Sequence, residues 1–455
     1  MRPELLQKYN VPVPRYTSYP PANFFHEGVK NDTYEAAISA SNTATPQHIS
    51  FYLHIPFCKH LCHYCGCNSF PMRQPEVVDR YVRALHQEID KVKPLLDNTR
   101  KIAQIHYGGG SPTAIPVRYI QELNEHLLDG FATIAQPEIA IECHPGYLTA
   151  ENWEALCQAK FTRFSLGVQD FNPEVLKVVN RRPSLLPVEE IFGILRAYGA
   201  KINMDFIYGL PLQTPERFAE TIERVAQLEP DRLVTFSYAH VPWVNKRQLI
   251  LEKAGLPAGN DKSRMYEMAQ QIMHRAGYQS IGLDHFVKAT DELYTALTHH
   301  QLHRNFQGYC TRRTTGQVYA FGVTGISQLS TGYAQNIKDI DAYMAAIEQG
   351  GFAVAKGYTL NQDEQITREV IDSLMCNYHL EWEEVARYLG LTVDAVKNAT
   401  AYDEARLQDF ADDGLIEWDE AFLRMTAEGS PFVRNVAASL DKLMQHTNKS
   451  FSKPV

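Results

Sequence analysis

No apolar stretch in the 455 residues approaches the roughly 20 needed to span a bilayer, and the opening MRPELLQKYN has no hydrophobic secretory segment. We therefore expect no membrane span and a soluble, cytoplasmic protein. Basic charge is also short: 44 Lys and Arg stand against 53 Asp and Glu, a formal net charge of −9. Phosphate contacts need a basic surface, so no nucleic-acid partner is expected. An anionic small substrate stays open, because a local arginine cluster can work inside an acidic protein. There is no internal repeat and no low-complexity tract. Cysteine is sparse and uneven: of eight, Cys58, Cys62, Cys65 and Cys67 fall within ten residues. A disulfide scaffold spreads its cysteines through a short chain, whereas a tight cluster in a long chain points to metal ligation. The isolated Cys143, Cys157, Cys310 and Cys376 read as small buried hydrophobes.

Residues 1–48 are rich in Pro, Tyr and Asn, and only 34–40 has a helical pattern. The segment VPVPRYTSYPPANFF reads as an extended, Pro-punctuated N-terminal arm. From residue 50, short β-type runs alternate with helical stretches. Strands are expected at 51–55, 102–107, 138–143, 162–167, 200–208 and 231–238, and helices near 76–95, 117–129, 151–159, 187–198 and 216–228. Such alternation makes βαβ units and a parallel sheet. Six units fall short of a closed eight-stranded barrel, so the expected fold class is α/β, a partial (β/α)6 barrel. The stretch 240–360 is more irregular and reads as an extension of that barrel domain (49–360). The remainder, 361–455, is expected to be a mainly helical C-terminal domain with one hairpin, LIEWDEAFLRMT. Its order of elements resembles a winged helix. However, 381–428 carries 13 acidic residues against four basic ones, Arg387, Lys397, Arg406 and Arg424. That balance is wrong for phosphate contacts, and a lid or scaffold role is expected instead.

The cysteine cluster reads Cys58-Lys-His-Leu-Cys62-His-Tyr-Cys65-Gly-Cys67, a CxxxCxxC spacing directly after the first strand. Three thiolates on a [4Fe–4S] cube leave one iron open to chelate a small molecule. The rival is a Cys/His zinc site using His60 or His63; structural zinc prefers paired CxxC-type knuckles, and no second knuckle follows. CxxxCxxC is the signature of radical S-adenosylmethionine (SAM) enzymes, and Tyr64 fits the aromatic position of that motif. The resemblance implies a cluster on Cys58, Cys62 and Cys65 whose open iron binds the amino and carboxylate groups of SAM. Reduction then yields a 5′-deoxyadenosyl radical.

In βα barrels the chemistry gathers at the C-terminal ends of the strands. Here those ends carry the cysteine loop, Gly108-Gly109-Gly110-Ser111, Glu142 with His144, Gln169 with Asp170, Asp205 with Gly209, and Tyr238-Ala239-His240. Glycine lets a ligand approach the backbone, although a tight turn would explain a Gly triplet alone. Beside a cluster, the triplet resembles the radical SAM glycine motif. Glu142, Gln169, Arg181 and Asp205 are then candidates for the ribose hydroxyls and the methionyl carboxylate.

Seven segments in order, PRYTSYP (14–20), FYLHIPFCKHLCHYCGCN (51–68), YGGGSPT (107–113), SLGVQDF (165–171), DFIYGLPLQT (205–214), YAHVP (238–242) and HRNFQGY (303–309), resemble the oxygen-independent coproporphyrinogen III oxidases of haem biosynthesis. This resemblance implies oxidative decarboxylation of the ring A and B propionates to vinyls, giving protoporphyrinogen IX, with an electron donor and an acceptor that the sequence does not identify. It implies two SAM molecules in a monomeric enzyme. Tyr52, Gly110, Ser111, Glu142, Gln169, Arg181, Asp205 and Ala239 would contact the first SAM, and Phe306 and Gln307 the second. Arg15, Tyr16 and Cys67 are placed at the substrate by the same resemblance. Arg15, Arg304 and Lys59 suit its four carboxylates, since Arg presents a fork to them; a solvated arm residue is the plain alternative for Arg15, and a packed loop thiol for Cys67. The chain departs from the family pattern at His144, where a carboxylate is usual, and at Ser111 in place of Thr. A haem chaperone and a haem-degrading methyltransferase are the rival functions; relatives of the first kind usually lack PRYTSYP and the last cysteine of CGCN.

Overall fold

All six expected runs are strands in the computed structural model, which describes residues 2–243, 245–311, 317–445 and 447–452. They are β1 (Ile49–Ile55), β2 (Ile102–Gly109), β3 (Thr133–Cys143), β4 (Arg163–Gln169), β5 (Lys201–Tyr208) and β6 (Arg232–Ser237). Between them lie α1 (Pro75–Val92), α2 (Val117–Leu128), α3 (Ala150–Gln158), α4 (Val188–Ala197) and α5 (Pro215–Leu228). Neighbouring strands pair parallel from β1 through β6. The helices cover the outer face with apolar stripes: α1 buries Val78, Tyr81, Val82, Leu85, Ile89 and Val92, the three-to-four spacing of one helix face. Opposite them stand the outward residues of the strands, such as Phe51, Leu53 and Ile55 of β1, at most 1% exposed.

The stretch 240–360 is more regular than its sequence suggests. It contributes β7 (Tyr278–Ile281), β8 (His285–Lys288), β9 (Val318–Phe321), β10 (Ile326–Leu329), β11 (Gly332–Asn336) and β12 (Val354–Thr359). The result is a 12-stranded sheet in the order β12-β11-β10-β9-β1-β2-β3-β4-β5-β6-β8-β7. Strand β9 joins β1 in parallel, with Phe51 opposite Tyr319, so the parallel run includes a seventh strand. The remaining pairings at both edges are antiparallel. These strands are four to six residues long, too short for a period to stand out, and distant partners decide them. A separate hairpin pairs Leu302–Asn305 with Gly308–Thr311.

The arm is less extended than expected. The helix at 34–40 runs over Asn31–Ala40, and Pro3–Tyr9 forms another that its seven residues were too few to announce. Arm residues Leu5, Tyr9, Tyr16, Tyr19 and Phe25 pack into one core with the C-terminal helices. Tyr16 and Tyr19 both donate to Asp441, at 2.9 and 3.1 Å. The C-terminal part is mainly helical. Its expected hairpin forms (Ile416–Trp418 with Phe422–Met425), and His379–Glu381 adds a third strand. Among the described residues, no helix is long and apolar enough to cross a membrane.

Helix α1 carries one buried acid. Glu88 accepts from Gly322 N–H (2.8 Å), Asn336 Nδ2 (2.7 Å) and Tyr343 Oη (2.6 Å), tying α1 to the turn after β9. Burial pushes its carboxyl up from 4.5 to about 7. A raised acid favours the folded state while protonated, so this contribution is complete below about pH 4.5 and is lost as pH rises through about 7. The thermal midpoint of wild type, relative to Glu88→Gln, should fall between about pH 5 and about pH 8. A difference independent of pH would contradict the assignment.

Candidate functional site

Alternate residues of a strand face one side of the sheet, and on β2 to β6 the inward set is largely polar. Its lower layer is ionic. Glu138 accepts from Arg163 Nε (2.8 Å) and Gln104 Nε2 (2.9 Å), and lies 3.6 Å from Arg232. Arg232 also meets Asp291, at 2.9 Å. Burial alone would raise the Glu138 carboxyl, but Arg163 and Arg232 hold it down at about 2. Gln104, Glu138, Arg163 and Arg232 of this layer line a chamber inside the barrel, and the C-terminal strand ends lie beyond it.

At those strand ends, the cysteine loop is held mostly through its backbone. Gly110 and Ser111 donate to the carbonyls of Ile55 (2.9 Å) and Phe57 (3.0 Å). Asn180 holds the Leu61 carbonyl (2.9 Å), Asn245 that of Cys65 (2.7 Å), and Gln248 those of Tyr64 (3.1 Å) and Ala239 (3.2 Å). Side chains are thereby left free to face a cavity lined by Cys58, Cys62, Cys65, Cys67, Gly110, Ser111, Glu142, Gln169, Arg181 and Asp205. The structure thus brings together all three candidate metal ligands and six of the ten candidate cofactor residues. Below lies a second chamber, which shares Glu142, Ser165 and Asp205 with the first and is lined further by Phe306, Gln307, Arg304 and Thr17.

The residues present fit an iron–sulfur cluster and an adenosyl ligand. All four loop cysteines are free thiols. No three ligand atoms of the loop lie within 4.8 Å of one another, whereas one tetrahedral zinc ion needs sulfurs roughly 3.8 Å apart. A cube that takes each thiolate on a different iron suits the wider spacing. Burial, reinforced by Cys65 and Cys62, pushes the Cys58 thiol up to about 12, so an ionised sulfur at that position calls for a cationic partner. Above the loop, a register shift between Gly167 and Gln169 turns Gln169 to φ +71. Its Oε1 is buried without a hydrogen-bond partner. A β-carbon on Gly110 would lie 2.6 Å from the Pro56 carbonyl oxygen and 3.1 Å from Cys58 Sγ.

Charges in the cavity are coupled. Arg181 donates to the Gly167 carbonyl through Nε (3.1 Å), to Tyr64 Oη (3.1 Å) and to Cys62 Sγ (3.5 Å). Burial, with help from nearby Glu142, pushes Asp205 up to about 6, although Ser165 donates to it at 2.9 Å. His106 lies 3.1 Å from Glu142. His144 stacks on Tyr147 at 3.9 Å, accepts from Gly146 N–H (3.1 Å), and is held neutral, near 2, by burial and Arg181. The unusual residue at this position is therefore an uncharged ring and not a substitute carboxylate.

Other candidates lie outside these linings. Tyr52 sits behind Gly108 with its ring 6.0 Å from that of His106. Ala239 is exposed. Tyr16 is buried against Asp441, away from both chambers. Arg15 is exposed on the arm, and with His285 and Arg304 it helps to hold the Asp284 carboxyl low against the effect of burial. Sequence reasoning missed Asp284 and His285, which meet at 2.6 Å in the lower chamber, as well as Arg163, Arg232, Asn180, Asn245 and Gln248. For Arg163 and Arg232 the available signal was inward alternation on expected strands; for Asp284, His285 and the three amides there was none.

The sequence profile of the Radical SAM superfamily matches residues 52–225, and that of the HemN C-terminal domain matches 360–432. An oxygen-independent coproporphyrinogen III oxidase of Helicobacter pylori is 37% identical over 99% of this chain and 98% of its own. One of Synechocystis is 37% identical over 99% and 97%. The chain belongs to the oxygen-independent coproporphyrinogen III oxidase family. The solved coproporphyrinogen III oxidase (HemN) of Escherichia coli, described as a radical SAM enzyme, superposes with a TM-score of 0.87, 37% identity, and coverage of 96% of this chain and 98% of that one. Members of this family use a [4Fe–4S] cluster and SAM. In this oxidase-family chain the tightest steric point beside the cysteines is Gly110. Gly110→Ala should lower anaerobically reconstituted iron and SAM binding by roughly tenfold or more, with unchanged circular dichroism. Wild-type iron content and SAM affinity in that variant would refute the close approach.

Proposed function

We propose that this chain catalyses the oxygen-independent oxidative decarboxylation of coproporphyrinogen III to protoporphyrinogen IX. The observation that carries this reading is the pair of connected chambers, one lined by the three cysteines and the other by buried arginine. The relatives matched bear the oxidase name, which does not favour the chaperone or methyltransferase alternatives. When bound, the cluster on Cys58, Cys62 and Cys65 would supply an electron to SAM and so the radical that removes a propionate β-hydrogen.

The chain's own residues bind and orient. Arg181 and Gln169 suit the methionyl carboxylate and amino group, and Glu142 and Asp205 the ribose hydroxyls. With its carboxyl near 6, Asp205 can accept from a hydroxyl or, when protonated, donate to one. His106 orients Glu142. In the lower chamber, Arg304 has a buried Nε without a hydrogen-bond partner and suits a substrate carboxylate, while Phe306 and Gln307 would border a second SAM. Cys67, in the lining of the upper cavity, and Arg15, which helps to hold Asp284 of the lower chamber low, suit places beside the substrate. Tyr16 acts at a distance, holding the arm on the C-terminal core as a cover against water. Each round removes one hydrogen atom, one CO₂ and one electron from the substrate, so a separate electron acceptor is required. We take residues 1–48 as the arm, 49–360 as the barrel domain and 361–455 as the C-terminal domain of a cytoplasmic monomer.

Under anaerobic conditions with SAM, dithionite, coproporphyrinogen III and an electron acceptor, mass spectrometry should show two successive losses of CO₂ plus two hydrogens, with deoxyadenosine formed. SAM cleavage without decarboxylation would refute the substrate assignment. Cys65→Ser should abolish both the cluster and turnover. Arg304→Ala should retain iron but lose turnover at low substrate by roughly tenfold to hundredfold, the cost of one charged hydrogen bond; turnover equal to wild type would remove Arg304 from the substrate.

A further inference from the structure

Outside the linings of both chambers, two histidines and a glutamate converge where the C-terminal domain meets the barrel extension. His300 follows the helix Glu292–Thr298 with φ +53. Its N–H reaches the Leu297 carbonyl at 3.1 Å, and Gln301 N–H that of Ala296 at 2.7 Å. This is a helix end at which glycine is the usual residue, because an L side chain is strained there. The imidazole of His300 lies 4.0 Å from that of His379, centroid to centroid. On His379, Nε2 is 3.1 Å from Glu381 Oε1, and Nδ1 is buried with no hydrogen-bond partner. Phe422 stacks on the same ring at 6.1 Å.

One ligand atom from each of His300, His379 and Glu381 lies within 4.8 Å of the others, and among the described residues this is the one such group. His299 and Glu384 line the adjoining surface pocket. Two imidazoles and a carboxylate, with room for water, are a ligand set for zinc and its divalent neighbours, whereas magnesium and calcium prefer oxygen alone.

We propose that His300, His379 and Glu381 form a binding site for a divalent transition-metal ion of the zinc class, which staples the C-terminal domain to the turn before the strand Leu302–Asn305. Direct bonds already begin this clamp: Asn377 Oδ1 accepts from Leu302 N–H (3.0 Å) and Asn377 Nδ2 donates to the Leu302 carbonyl (3.1 Å). The same strand leads into Phe306 and Gln307 of the lower chamber. A metal here would steady that hairpin without touching a reacting atom, and the site stands independently of the proposed reaction.

The test uses the full-length protein with its cluster loaded, so that iron occupies the cysteine loop. Calorimetric titration with zinc chloride under anaerobic conditions should show one zinc ion per chain, and zinc should raise the thermal midpoint. His300→Gly suits the backbone there, so it should fold, yet it should bind zinc at least about tenfold more weakly and lose the zinc-dependent rise. Glu381→Gln should behave in the same direction with iron content unchanged. Absence of stoichiometric zinc binding in wild type, or zinc affinity undiminished from wild type in both variants, would overturn the site.

Discussion

A strand can turn only alternate residues inward, and in this barrel those positions are filled largely with polar groups that must compensate one another. Glu138, Arg163 and Arg232 do so as a buried unit, with Asp291 balancing the second arginine. An uncompensated charge at that depth would be strongly destabilising. Together these groups line the lower chamber of the barrel. Beyond it, parallel pairing brings the carboxyl ends of β1 to β6 to one side. The cysteine loop, the glycine triplet and the Glu142, Gln169 and Asp205 side chains therefore meet because of pairing direction, although they are scattered along the chain.

The loop that carries the cysteines is shaped by hydrogen bonds from outside. Amide side chains at 180, 245 and 248 take up its carbonyls, and its four cysteines line the cavity. The glycines at 108, 110 and 167 keep that space open, since a β-carbon at any of them would come within 3.0 Å of a neighbouring atom. The arm and the C-terminal domain form a shared core of their own, anchored by Asp441 between Tyr16 and Tyr19. The hairpin that presents Phe306 and Gln307 is held to this second unit by Asn377, so the lower chamber is assembled from three parts of the chain.

Much of the fold was legible from local pattern. The six parallel strands and five helices matched alternation and amphipathic spacing, because each is long enough for its period to show. Strands β7 to β12 were not legible: each has four to six residues and acquires strand geometry from a distant partner. The helix Pro3–Tyr9 was likewise too short to declare itself and depends on burial of Leu5 and Tyr9 against the C-terminal core.

By itself the sequence determined the ligand chemistry. The CxxxCxxC spacing, the glycine triplet and the polar residues at strand ends are local facts, and they specify which atoms are available to iron and to an adenosyl group. Only the tertiary structure decided which of them share a space. It gathered the three cysteines with six of the candidate cofactor residues, and it put Tyr16 against Asp441 and left Ala239 exposed. It also added Asp284, His285 and the loop-holding amides. Hydrogen bonding and burial act between residues that sequence separation keeps apart, so a spacing rule can name a donor atom but cannot say what will stand opposite it.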